Sequence, residues 1–196
     1  MKELSPAAPR ALLHTRQVQC RGWEREDGLW DIEGRLSDVR THDLDDSRGN
    51  ATRRAGEPIH LMSLRLTLDD SFLIVAAEAV SHQTPYADCA VINDSYARLA
   101  GLRIEAGFSH AVKVRFRGAL GCTHLTELLG PIATTAFQAI RPAMERRRAA
   151  LGLPRLLEGP RPPLMDSCYA LRRGGEAATV RWALELEEAA LPPTTS

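Results

Sequence analysis

The chain has no C-x-x-C pair, no long apolar run, no surplus of either charge and no internal repeat. Its four cysteines, Cys20, Cys89, Cys122 and Cys168, lie far apart. That spacing argues against a zinc ribbon and predicts reduced thiols, mostly buried as small apolar residues. Lys and Arg number 25, and Asp and Glu also number 25, so no overall field draws the protein to nucleic acid. The run Arg146-Arg147-Arg148 suits a helix C-terminus better than a nucleic-acid patch. No stretch approaches the ~18 apolar residues of a membrane span, and Met1-Lys2-Glu3-Leu4-Ser5-Pro6 is too polar for a secretory signal. Neither a glycine-rich phosphate loop nor a nucleophile elbow is present. These absences point to a cytoplasmic protein of bacterial type without nucleic-acid or membrane partners.

What remains is a chain of 196 residues, 44% of them hydrophobic, enough for one domain with a real core. The expected organisation is a single domain, 1–196, with an extended arm at 1–11, a polar mobile loop at 41–57 and a frayed tail at 192–196. Residues 12–24 and 29–39 read as strands joined through Asp27-Gly28, a hairpin signal. In the second strand Trp30, Ile32 and Leu36 share one parity; Asp31, Glu33 and Arg35 share the other. The charged face is either solvated, with a cross-strand ion pair, or the lining of a cavity. Residues 59–68 alternate as well. Met62, Leu64, Leu66 and Leu68 point one way, and His60 carries their parity. Residues 72–80 return as a fourth strand, 93–100 form a short helix, 107–118 form a helix or strand, and 179–186 read as a late strand.

The longest helical signal covers 122–150. Cys122, Leu125, Leu129, Ile132, Ala136 and Ile140 repeat at the spacing of one buried face, while His124 and Glu127, three apart, are neighbours on an adjacent face. Pro131 cannot donate to the carbonyl of Glu127, so a kink or a break and restart is expected there. The fold class is therefore α+β: an antiparallel sheet packed against one long kinked helix plus shorter helices.

Several phrases stand together: Leu13-His14-Thr15-Arg16, Cys20-Arg21-Gly22-Trp23, Asp27-Gly28-Leu29-Trp30-Asp31-Ile32-Glu33-Gly34, Gly56-Glu57-Pro58-Ile59-His60, Leu64-Arg65-Leu66-Thr67, and Gly121-Cys122-Thr123-His124-Leu125-Thr126-Glu127-Leu128-Leu129-Gly130-Pro131. They resemble the bacterial family known as domain of unknown function 2889, from about residue 5 to about residue 182. The chain departs from the family at Leu61, where a polar residue is expected after His60, and around 110–118. The resemblance implies a role in breakdown of aromatic compounds. The implied activity is a cofactor-free lyase that releases formaldehyde from a lignin-derived phenylcoumaran dimer and leaves a stilbene.

Such a reaction needs a base, a partner for the departing phenoxide and an apolar slot. The candidate catalytic residues are Glu127, His124 and His60. The candidate substrate-binding residues are Arg21, Arg65, Tyr86, Glu33 and Asp31. No metal and no cofactor are expected, and the expected partners are a small aromatic substrate and, in a homodimer, a second copy of the chain. Two other readings stand beside this one. A metal-dependent small-molecule enzyme would use Cys122, His124 and Glu127, with His60 or Cys89 added, although Cys122 and His124 diverge by about 200° on a regular helix. A non-catalytic dimeric ligand-binding module would use the same polar groups structurally. In the catalytic reading the site lies between the sheet and the first turns of the long helix, with the 41–57 loop near its mouth.

Overall fold

The computed structural model describes residues 4–44, 52–153 and 165–182. They fall into two compact units, 1–143 and 144–196. The first unit holds a four-stranded antiparallel sheet in the order β1-β2-β3-β4, made of β1 (His14–Glu24), β2 (Trp30–Arg40), β3 (Pro58–Leu68) and β4 (Ile74–Gln83). Residues 4–13 are exposed and irregular.

Local chemistry explains the turns. At the first, Gly28 sits at φ +86°, a conformation that costs glycine little, and Asp27 accepts a hydrogen bond from the Leu29 N–H at 3.3 Å. At the β3–β4 turn the Asp69 carboxylate accepts from the Ser71 and Leu73 N–H groups at 2.8 and 2.9 Å. Asp31 pairs with Arg25 at 3.4 Å across the first turn.

After the sheet come a 3-10 helix, Ala87–Leu99, then α1 (Phe108–Arg115), a short 3-10 turn, Gly118–Leu120, and α2 (Thr123–Ala150). The fold is the expected α+β arrangement, and α2 is the long kinked helix, with Pro131 and Pro142 inside it. Its buried residues, Leu125, Leu128, Leu129, Ile132, Ala136 and Ile140, follow the helical period. They meet the apolar face of the sheet: Trp30, Ile32, Leu36, Met62, Leu64, Leu66 and Leu68 are all at most 2% exposed. The short helix expected at 93–100 is a longer 3-10 segment, and 107–118 resolves as helix.

Two strand glycines let α2 approach the sheet. A Cβ on Gly22 would stand 2.6 Å from the Ala139 Cβ, and one on Gly34 would stand 2.7 Å from the Ile132 Cδ1. Such residues mark a close approach of backbone to its neighbour.

In the second unit a 3-10 turn, Tyr169–Leu171, precedes α3 (Glu176–Trp182). The late strand expected at 179–186 is corrected: 179–182 are helical, and 183–186 lie outside the described residues, as does the 192–196 tail. The local cause is Glu176-Ala177-Ala178, an acidic first turn followed by strong helix formers. The thiols also differ from expectation. Cys20, Cys89 and Cys122 are only part-buried, and Cys168 is exposed. Among the described residues, no helix is long and apolar enough to cross a membrane.

The packing of α2 on Gly22 gives a direct test. Gly22→Ala should lower unfolding free energy by about 1–3 kcal/mol through overpacking, measured by urea denaturation. Adding Ala139→Gly should recover part of that loss. An unchanged midpoint in Gly22→Ala would show that the helix does not lie this close.

Candidate metal centre

The polar centre forms where the end of the sheet meets the first turn of α2. Asp38 carries the same strand parity as Trp30, Ile32 and Leu36, so its side chain turns toward the helix and is 1% exposed. It pairs across β2–β3 with His60, and the register shifts between Asp38 and Val39. A bulge of this kind re-aims side chains, and such bulges are frequent next to functional sites. β1 contributes Arg16, paired in register with Asp38, and His14, paired with Arg40.

His124 arrives from α2. The start of that helix is clamped by Tyr96, which is fully buried. The Tyr96 hydroxyl accepts from the Cys122 N–H at 3.0 Å and lies 2.9 Å from the Cys122 carbonyl and 2.7 Å from the Thr126 Oγ1. Its ring stacks on Phe116 at 4.5 Å. This satisfies backbone groups that a helix start leaves without partners and sets the position of His124.

Four side chains surround the Asp38 carboxylate. Oδ1 accepts from Arg16 Nε at 2.7 Å and meets His14 Nε2 at 3.0 Å. Oδ2 accepts from Arg16 Nη2 at 2.8 Å and meets His60 Nδ1 at 3.1 Å, with His124 Nε2 at 3.6 Å. The His60 and His124 rings stack, centroids 3.7 Å apart. Arg16 Nη1 donates outward to Glu127 Oε2 at 2.6 Å. The second nitrogen of His124, Nδ1, lies 4.0 Å from the Cys122 Sγ.

Electrostatics follow from this arrangement. Burial works to raise the Asp38 pKa, but the hydrogen bonds from Arg16 and His14 and the charge of Arg16 outweigh it and hold the carboxyl at about 2. His60 is pushed below its ordinary value by burial and by the facing His124. His124 is lowered by burial and by Arg16. The result is one firmly ionised carboxylate between two imidazoles that favour their neutral form. Metal ligation requires those protonation states. Asp38, His60 and His124 place one ligand atom each within 4.8 Å of one another. Two imidazoles and one carboxylate are a donor set used for zinc and for non-haem iron.

This centre corrects the cofactor-free reading. A lyase without cofactor was expected, with His124, His60 and Glu127 acting as bases; the structure instead joins two of them to Asp38 in a cluster able to hold a metal. The metal-dependent alternative fares better: its ligand set, Cys122, His124 and Glu127 with His60 or Cys89 added, shares His124 and His60 with the cluster, and Asp38 takes the place of Glu127 and Cys122. Glu127 is half-exposed and bonded to Arg16.

The expected substrate-binding residues lie elsewhere. Arg21, Glu33 and Arg65 face the other side of the sheet, in register across β1, β2 and β3. They line an open hollow of about 490 Å³ together with Arg35, Glu78 and His82. Asp31 borders a second hollow, of about 320 Å³, on that side and accepts from the Thr67 hydroxyl at 2.7 Å. Arg65 pairs with Glu33 at 3.7 Å and with Glu78, so these charges answer one another as on a solvated strand face. Tyr86 is exposed, at 57%. The larger hollow is thus on one face and the ligand cluster on the other, and the cluster is the better guide because its groups converge. In the 41–57 loop, 45–51 lie outside the described residues; Leu44 bridges Arg53.

Asp38, Arg16, His14 and Tyr96 were missed as site residues. The signal for Asp38 was present: an acidic residue on the apolar parity of its strand. Arg16 shares a face with Cys20 and Gly22, a pattern too polar to stand out.

Residues 14–138 match the family model described as "Protein of unknown function (DUF2889)". That span includes every residue of the Asp38 cluster. No curated protein and no solved structure matches.

The pH dependence of stability tests the electrostatics. His60 and His124 have lowered pKa values in the folded state, so their contribution is full above the unfolded value of about 6.5 and is lost as pH falls through the lower folded values. Asp38 contributes about 2 kcal/mol above its unfolded value, lost as pH falls from about 4 toward 2. Metal-free protein should therefore unfold at lower urea at pH 5 than at pH 8, and His60→Gln with His124→Gln should flatten that slope. Greater stability in acid would contradict the assignment.

Proposed function

The chain belongs to the DUF2889 family, and we propose that Asp38, His60 and His124 hold a divalent first-row transition ion in a metal-dependent enzyme acting on a small molecule. One observation carries this: two imidazole nitrogens and a buried carboxylate oxygen lie within 4.8 Å of one another. Each residue has a chemical reason to be there. Asp38 supplies charge, His60 and His124 supply neutral nitrogen, and the Cys122 sulfur near His124 Nδ1 sits where an outer-shell partner orients a ligating ring.

An ion held by three protein groups keeps positions for water or substrate and supplies Lewis-acid polarisation. The protein's part is orientation. Tyr96 sets His124, the bulge beside Asp38 sets His60, and Glu127, three residues beyond His124 on α2, offers a half-exposed carboxylate at the rim as a proton acceptor. His60 Nδ1 and Arg16 share the Asp38 oxygens, so an ion would displace those contacts, and its binding would weaken in acid as the imidazoles take up protons.

Calorimetric titration of metal-free protein with Zn²⁺ at pH 7.5 should show one ion per chain. His60→Gln and Asp38→Ala should each weaken it by at least about tenfold, whereas Cys122→Ala should leave it nearly unchanged. At free metal one hundred times the dissociation constant, stability should rise by about 2.7 kcal/mol. Absence of saturable binding in folded wild-type protein would overturn the proposal.

A further inference from the structure

We infer that the same centre takes a small monoanionic carboxylate ligand, and that Arg16 is the residue that receives its carboxylate group; this rests on the metal reading above.

The cluster is graded from inside to outside. Asp38 is 1% exposed, His60 17% and His124 23%, whereas Arg16, His14 and Glu127 are 39%, 42% and 50% exposed. The proposed ligand atoms are therefore the inner layer, and Arg16 stands between them and solvent. A molecule approaching the ion from the open side meets the guanidinium.

Arg16 is also the group whose partners a metal would disturb. Its Nη2 shares Oδ2 of Asp38, at 2.8 Å, and this is the oxygen that both His60 and His124 face. A cation drawing on Oδ2 competes with Nη2 for it and repels the guanidinium. Nε keeps Oδ1 at 2.7 Å and Nη1 keeps Glu127. The Nη2 side of the fork is left short of an acceptor, beside the ion. A planar carboxylate is the natural complement to a guanidinium edge.

Charge selects the ligand's valence. The formal charges of Asp38, Glu127 and Arg16 sum to one net negative charge. A divalent ion turns that into one net positive charge. One added carboxylate neutralises it. A phosphate dianion would overshoot and bring more negative charge against Glu127. Without metal the centre repels anions, so anion binding is conditional on the ion.

The test uses Co²⁺ as a coloured ion in the full chain, with benzoate and inorganic phosphate as probes. Benzoate should shift the cobalt absorption saturably in wild-type protein and bind at least about tenfold more weakly to Arg16→Gln. Co²⁺ itself should bind Arg16→Gln as tightly as wild type or more tightly, which also shows that the variant is folded. Equal benzoate response in both proteins, or none in either, with Co²⁺ bound, overturns the role of Arg16 and leaves the metal centre standing. Phosphate bound more tightly than benzoate overturns the carboxylate class. Failure of wild-type protein to bind Co²⁺ overturns the metal centre and this inference with it.

Discussion

A carboxylate withdrawn almost completely from water is the constraint on which the rest depends. Asp38 cannot remain ionised at the end of an apolar strand face unless donors surround it, because an uncompensated buried charge costs several kcal/mol. Arg16 from β1, His60 from β3 and His124 from α2 all converge on it. Three strands and the start of the long helix are thereby tied to one point. Gly22 and Gly34 serve the same end farther along, since they let α2 lie close enough to the sheet for its first turn to reach the strand ends.

The arrangement separates two chemistries by the faces of one sheet. On the face toward α2, apolar side chains end in a compact polar cluster with a single buried charge. On the other, Arg21, Glu33, Arg65 and Glu78 spread over solvent and largely neutralise one another. Period-two alternation makes that separation unavoidable: neighbours in sequence, such as His60 and Leu61, serve opposite surfaces.

Much of the fold was legible in the sequence for the same reason. Asp27-Gly28 marked the first turn, the alternation in β2 and β3 marked the apolar face, and the 122–140 period marked the helix that covers it. His60 was found because it continued the row of Met62 and Leu64. Asp38 continued the row of Ile32 and Leu36 in the same way but was overlooked. Grouping Arg21 and Arg65 with His60 ignored their parity and placed residues of the outer face in the inner site. The partnership of Asp38 with His124 spans a large part of the chain and depends on how far α2 slides along the sheet. No local pattern encodes that distance. The cofactor-free reading failed at the same step, because it paired His124 with its helix neighbour Glu127 and not with the strand that the helix lies upon.

If Asp38, His60 and His124 are the ligands of one ion, X-ray absorption fine structure of the zinc-loaded protein reads them directly. The expected spectrum has a first shell of nitrogen and oxygen only, at about 2.0–2.2 Å, with the outer-shell scattering of two imidazoles. A sulfur contribution at about 2.3 Å would place Cys122 on the metal and contradict it, as would a spectrum of fully hydrated zinc.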